Sequence, residues 1–240
     1  MALQAGAVVA GYDGSQASRQ AVRWAAREAT TRGRPLLVVH AFAIPLDELT
    51  RVHLPGESFT LKALRDQAEQ AVEGVAAECR ELFPGLEVDV EVHLGHAATV
   101  LVDLAVDAGV LVLGPPAHSR LQRVLLGSTA AEVVRTAHVP VVVVRGERAA
   151  QQQVRRVVVG VDGSPSSTRA VGFAYDFAAR HGADLIAMLS YSEARPDPLK
   201  PNRGWQFDSD TVDACRRELS EAVAGWSQTS PDVVVREVVD

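Results

Sequence analysis

Along the chain, apolar runs free of charge alternate with stretches where apolar residues recur every three or four positions. That is the signature of strands buried on both faces with helices packed against them. The first run, AVVAGY at 7–12, is followed by a helical pattern through Ala21, Val22, Ala25, Ala26 and Ala29, then by a second run, LLVVHAF at 36–42. A helix is predicted over 60–82, where Leu61, Leu64, Ala68, Val72, Val75, Cys79 and Leu82 keep step and Pro84-Gly85 ends it. The strand LEVDVEV comes next, then a helix over about Ala97–Ala108, the strand VLVL at 110–113, a helix after Ser128 and the strand VPVVVV at 139–144. Five strands with intervening helices predict a doubly wound α/β fold with a parallel sheet and right-handed crossovers.

The pattern then starts again. VVVGVDGS at 157–164 nearly repeats VVAGYDGS at 8–15, and the ungapped alignment of 8–42 with 157–191 holds 13 identities in 35, enough to infer an internal duplication. The charged and polar stretch GERAAQQQVRR separates the copies. The expected division is a first domain over 1–146, a linker over 147–154 and a second domain over 155–240. The second copy is expected to run strand, helix over 166–181, strand over 184–191, helix over 208–227 and strand VVVREVV. Pro231 matches Pro84, so this copy is expected to be incomplete, without the counterparts of the last strands and of the glycine loop described below.

Composition narrows the function. A formal charge of −6 argues against a partner held by bulk electrostatics, whether nucleic acid or an anionic membrane. No apolar run approaches the length of a membrane span and the first residues show no basic leader, so a cytoplasmic protein is expected. The two cysteines, Cys79 and Cys215, sit in helical patterns far from any metal or redox spacing. With Lys62 and Lys200 the only lysines and no GxxxxGK[ST] stretch, a P-loop enzyme is excluded.

Two loops remain as candidate chemistry. Asp13, Gly14 and Ser15 follow the first strand, at the carboxyl end where open α/β sheets bind ligands. Asp13 can accept from the polar edge of a nucleoside, Gly14 allows a sharp turn, and Ser15 or Ser18 can cap the next helix; the same residues also make an ordinary capped turn. The second loop, GPPAHSRLQRVLLGST at 114–129, ends in Gly127, Ser128 and Thr129 at a helix start, where free N–H groups and hydroxyls suit phosphate. Capping by Ser128 accounts for the same pattern. His93 and His96 form an HxxH without a third ligand in view, and Trp24, Trp205 and Trp226 show no stacking array.

Together the two loops resemble the universal stress protein family, whose nucleotide pattern is G-x2-G-x9-G-[ST]. Gly114 matches the first position, Ala117 stands in place of the second glycine, and Gly127 and Ser128 match the last two; the resemblance extends over 6–145 and 155–240. It implies a five-stranded sheet of order 3-2-1-4-5 and an adenine site near Asp13, Gly14, Ser15 and the end of the second strand at Val39, His40 and Ala41. Phosphates would lie on Gly114, Pro115, Ala117, Gly127, Ser128 and Thr129. It further implies ATP or another adenine nucleotide, with or without Mg2+, as a signal ligand rather than a rapidly consumed substrate, and a homodimer formed through strand 139–144. Pro115 and Pro116, which lack N–H groups, and Ala117 favour the alternative of a nucleotide-free interaction protein. The second copy keeps Asp162, Gly163 and Ser164 and is expected not to bind nucleotide.

Overall fold

The computed structural model describes residues 4–43, 61–116, 126–146, 154–190 and 209–240. Ala117, His118, Arg120, Arg123, Trp205 and nearly all of the proline-containing segments at 43–59 and 192–207 lie outside the described residues. The chain divides into two compact units, residues 1–152 and 153–240.

In the first unit the strands are β1 (Val8–Gly11), β2 (Leu36–Phe42), β3 (Val88–Leu94), β4 (Val110–Leu113) and β5 (Val141–Val143). They form one parallel sheet of order β3-β2-β1-β4-β5, the order the resemblance implies. β1 lies at the centre, with Val9 opposite Leu37 on one side and Leu111 on the other. All four of its residues are buried, which is why it reads as a continuous apolar run.

Helices cover both faces. On one, α1 (Gln16–Arg32) and α2 (Leu61–Leu82) pack Ala21, Val22, Ala25, Val72 and Val75 over Val8, Ala10, Leu36 and Val38. On the other, α3 (Ala97–Leu104) and α4 (Ser128–Thr136) lay Ala98, Leu101, Ala130 and Val133 on Val9, Leu37 and Val39. α1 starts at Ser15, whose side chain accepts from the Ser18 N–H, and stops at Gly33, where φ of 61° is left-handed. A row of alanines on its inner face lets it approach the sheet closely.

Several boundaries differ from the sequence reading, two of them for a visible backbone reason. α3 ends at Leu104 rather than Ala108, because the Asp107 carbonyl accepts from the Gly6 N–H and the Gly109 N–H donates to Ala7, so this backbone serves the lead into β1. β5 is shorter than 139–144 because Pro140 has no N–H to give, although its carbonyl still accepts from Leu111.

The second unit holds β6 (Arg156–Gly160), β7 (Asp184–Leu189) and β8 (Val235–Val239), parallel and in that order, with α5 (Pro165–His181) and α6 (Ser209–Ser227). α5 reproduces α1: Ser164 accepts from the Ser167 N–H, Pro165 occupies the first turn, and Gly182 closes the helix at φ 60°. Its core centres on Tyr175, which stacks on Trp226 at 6.3 Å and donates its hydroxyl to the Val223 carbonyl at 3.3 Å. Gly172 makes room for that indole: a Cβ there would stand 2.6 Å from the Trp226 ring.

Candidate functional site

The carboxyl ends of β1, β2 and β4 converge beside the starts of α1 and α4. At β1, Gly14 takes φ of 84°, a left-handed value that suits glycine, and turns the chain into α1. The turn is closed by its own side chains. Asp13 Oδ1 accepts from the Ser15 N–H at 2.9 Å, Ser15 Oγ accepts from the Ser18 N–H at 3.1 Å, and Ser18 Oγ donates to the Ser15 carbonyl at 3.0 Å while receiving the Asp13 N–H at 3.3 Å. Burial pushes the Asp13 carboxyl up, but the hydrogen bonds from Ser15 and Ser18 outweigh it and hold the group below its ordinary value.

A group whose folded value is depressed contributes stability that is complete above its unfolded value and is lost as pH falls through the folded one. For Asp13 the window lies below the ordinary carboxylate value near 3.8. Asp13→Asn keeps an acceptor and removes the charge, so part of the acid-induced loss of first-unit stability is expected to be missing in that variant. Thermal melts between about pH 5 and pH 2 check this, and parallel curves for the two chains would refute it.

α4 begins differently. Its N-cap is Gly127, which offers no side-chain acceptor, and not Ser128 as the sequence reading has it; Ser128 is the first helical residue. The first helical bond runs from the Ala131 N–H to the Gly127 carbonyl, which leaves the Ser128, Thr129 and Ala130 N–H groups without helical acceptors. No acidic residue stands in the first turn. Of the two helix starts, α1 is filled by Asp13 and Ser15, and α4 is open among the described residues.

Gly114 and Gly127 hold the two loops together. A Cβ on Gly114 would lie 2.9 Å from the Ala17 carbonyl group and the Ser18 nitrogen, so the end of β4 rests directly on the first turn of α1. A Cβ on Gly127 would lie 3.1 Å from Cβ of Pro116, so the two ends of the glycine loop touch.

Two adjoining cavities result. One, of about 100 Å3, takes Asp13, Val39, Ala41, Gly114, Pro115 and Thr129 from the predicted set. The other, of about 630 Å3, takes Asp13, Gly14, Ser15, Gly114, Pro115, Gly127, Ser128 and Thr129. Asp13, Gly114, Pro115, Thr129 and Ala130 line both, so the spaces are contiguous. Among the described residues that line them, Asp13 is the one acid and none is Lys, Arg or His. His40 lines neither cavity. Its ring lies 6.3 Å from Tyr12 and 6.5 Å from Phe42, with Nδ1 buried and unpartnered.

The sequence reading does not single out Gly11, Tyr12, Ala97, Leu101, Leu113 or Ala130 as lining residues, and it takes Ser18 for a cap alone. These come from the ends of β1 and β4 and from the two helices that follow β3 and the loop; the rule that ligands sit at strand ends could have named Leu113. The histidine pair is pulled apart by separate partners: His93 meets Glu91 at 2.7 Å, and His96 faces Glu132 at 3.6 Å. No group of three metal-ligating side chains occurs among the described residues.

The second DGS turn repeats the first. Asp162 Oδ1 accepts from the Ser164 N–H at 3.0 Å, and Gly163 takes φ of 72°. The space above it differs: nothing lies within 4 Å of a Cβ built on Gly14, whereas the Glu218 carboxylate crowds one built on Gly163.

A doubly wound sheet with a crevice at its carboxyl edge, followed by a second copy of its opening elements, defines a tandem protein of doubly wound α/β architecture. The sequence matches the Universal stress protein family over residues 6–145 and 153–240, and the chain belongs to that family. It is 34% identical over 241 residues to a universal stress protein of Mycolicibacterium smegmatis, covering 97% of this chain and 79% of that one. A universal stress protein of Mycobacterium tuberculosis is 32% identical over 237 residues, covering 97% and 78%.

By fold, the crystal structure of a universal stress protein from Archaeoglobus fulgidus superposes with a TM-score of 0.68 at 17% identity, over 97% of this chain and 76% of that one. Another A. fulgidus universal stress protein, whose structure is a complex with dAMP, covers 58% of this chain and 98% of its own at 26% identity and a TM-score of 0.44. No helix among the described residues is long and apolar enough to cross a membrane.

Proposed function

We propose that the first unit binds an adenine nucleotide, ATP or a relative with fewer phosphates, as a signal ligand in a stress response. The observation that carries this reading is the pair of contiguous cavities at the ends of β1, β2 and β4, the larger of which opens on the uncapped start of α4. Val39, Ala41, Leu101 and Leu113 offer an apolar seat for a base. The Ser128, Thr129 and Ala130 N–H groups, with the Ser128 and Thr129 hydroxyls, offer donors and a positive dipole end for a phosphoryl group. Mg2+ would arrive with the phosphates, since Asp13 is the one carboxylate at hand among the described residues.

The site favours binding over turnover. A hydrolase needs a positioned base, and Asp13, held ionised and engaged by the Ser15 N–H, is the one carboxylate among the described residues that line the cavities. The second unit is read as nucleotide-free, because Glu218 crowds the space over its turn and would repel phosphate. In the same reading β5, an edge strand of half-buried valines, pairs with β5 of a second chain. Against the whole reading stand Pro115 and Pro116, which line the larger cavity without an N–H to give; they support the alternative of a nucleotide-free interaction protein.

Calorimetric titration of the chain with ATP, ADP and AMP, with and without Mg2+, tests the proposal. One saturable site per chain is expected. No heat up to about 1 mM ligand would leave the interaction protein as the surviving reading, since that limit corresponds to under about 4 kcal/mol of binding free energy. Sedimentation of the same samples reports the β5 pairing, and a monomer at micromolar concentration would overturn it.

A further inference from the structure

At the outer edge of the first sheet, β3 pairs with β2 alone. The Glu87 carbonyl accepts from the Leu36 N–H, and the Gly95 N–H donates to the Phe42 carbonyl. Alternation therefore turns Asp89, Glu91 and His93 toward β2 with their backbone groups, and turns the N–H and C=O of Val88, Val90 and Val92 outward. The Val88 carbonyl is taken, since it accepts from Arg80 of α2 at 2.7 Å. At Val90 and Val92 the ladder is open among the described residues.

A groove of about 520 Å3 runs along that stretch, lined by Arg65, Glu69 and Glu73 of α2 and by residues 90–93 of the strand. Glu69, Glu73 and Glu91 thus set three carboxylates there against one guanidinium. Their present partners are partly exposed: Glu69 meets Arg65 at 2.8 Å, Glu73 meets Arg80, and Glu91 meets His93 at 2.7 Å. Pairs of this kind hold weakly, so an incoming cation can compete for the carboxylates.

The strand also presents two different faces. Val88, Val90 and Val92 lie on the α2 side with Leu36 and Val38, while Asp89, Glu91 and His93 lie on the other, in register with Leu37, Val39 and Ala41. A second copy of β3 is a poor occupant of this edge. Laid against itself, the strand would bring Asp89 and Glu91 close to their own copies, and like charges across a strand pair repel. A basic strand meets the opposite condition.

We propose that the open edge of β3 is a docking site for a basic, extended segment of another protein, which adds a strand beside Val90 and Val92. The main chain of that segment completes the ladder. Its β-branched side chains lie along Val90 and Val92, its Lys or Arg side chains on the alternate face meet Asp89 and Glu91, and Glu69 and Glu73 draw positive charge to the rim. Arg80 marks one end of the free stretch. The groove shares no described residue with the two cavities at the ends of β1, β2 and β4, so this surface stands apart from the nucleotide reading.

The probe is a blocked heptapeptide of alternating Lys and Val with Lys at both ends. Amide hydrogen exchange is followed on the full chain, alone and with the peptide at up to about 1 mM. In the chain alone the Val90 and Val92 amides are expected to exchange freely, while the Glu91 amide, turned toward β2, is protected. The peptide is expected to slow Val90 and Val92 by at least about tenfold and to leave Glu91 unchanged. A peptide with Pro in place of each Val keeps the charge but cannot continue a ladder, and no protection is expected from it. Glu91→Lys is expected to abolish the effect with the melting temperature of the parent retained. Glu69→Gln combined with Glu73→Gln, two exposed positions on α2, is expected to weaken it without touching the strand. The proposal is overturned if the Lys–Val peptide gives no slowing, if the Pro peptide slows exchange equally, if neither variant diminishes the effect, or if Val90 and Val92 are protected before any peptide is added.

Discussion

A Gly114→Val chain is expected to lose nucleotide binding and about 1–3 kcal/mol of first-unit stability, the usual cost of forcing extra carbon into a packed contact. The cause is not backbone strain, since Gly114 has no positive φ. It is contact: the new Cβ would sit 2.9 Å from the Ala17 carbonyl carbon and oxygen and the Ser18 nitrogen. All three are backbone atoms of the first turn of α1, held by the Ser15–Ser18 hydrogen bonds, so no flexible side chain can yield. The loop after β4 must lift from α1, and both cavities lose a shared wall. Gly127→Ala is the control. There the nearest atom is Cβ of the Pro116 side chain at 3.1 Å, a contact that gives way by a few tenths of an ångström, so a smaller loss on both counts is expected. Thermal melts and titration of the two variants beside the parent decide it; a Gly114→Val chain that melts and binds as the parent does would refute the close approach of the two loops.

Ser128→Asp is expected to move stability and binding in opposite directions. α4 has no acidic residue in its first turn and no side chain capping its start, so a carboxylate at an exposed first position should stabilise the helix by about 0.3–1 kcal/mol through the dipole and the free N–H groups. The same carboxylate takes the donors that a phosphoryl group would use and opposes its charge. Nucleotide affinity should therefore fall at least tenfold, about 1.4 kcal/mol or more. A substitution that only damaged the fold would lower both quantities. If affinity survives while the melt rises, the phosphate lies elsewhere and the role given to α4 is wrong.

Much of the fold is legible in the sequence because strands buried on both faces leave uninterrupted apolar runs, and because Gly33 and Gly182 stop helices that Ser15 and Ser164 start. Boundaries are less legible where backbone groups are claimed by distant partners. Nothing near Asp107 announces that its carbonyl will accept from Gly6, and that bond helps set where α3 ends. The site divides in the same way. Asp13, Gly14, Gly127 and Ser128 stand out by local chemistry, whereas Leu101, Leu113 and Ala97 become lining residues only when the sheet order brings β4 beside β1. His40 shows a distinction the sequence does hold: strand alternation puts its side chain on the face opposite Val39 and Ala41, toward Tyr12 and Phe42.

The two DGS turns share the hydrogen bonds that cap a helix start: Asp13 and Asp162 each accept an N–H two residues on, and Ser15 and Ser164 each accept one three residues on. Only at the first does open space lie over the glycine; at the second the Glu218 carboxylate stands in the way. Starting the helix and receiving a ligand are therefore separable traits. Selection can hold the tripeptide constant for folding alone while recognition drifts through changes at 114–129 or at a single acid on a neighbouring helix. Counting such turns in a tandem chain measures how many times the domain was copied, not how many ligands it holds.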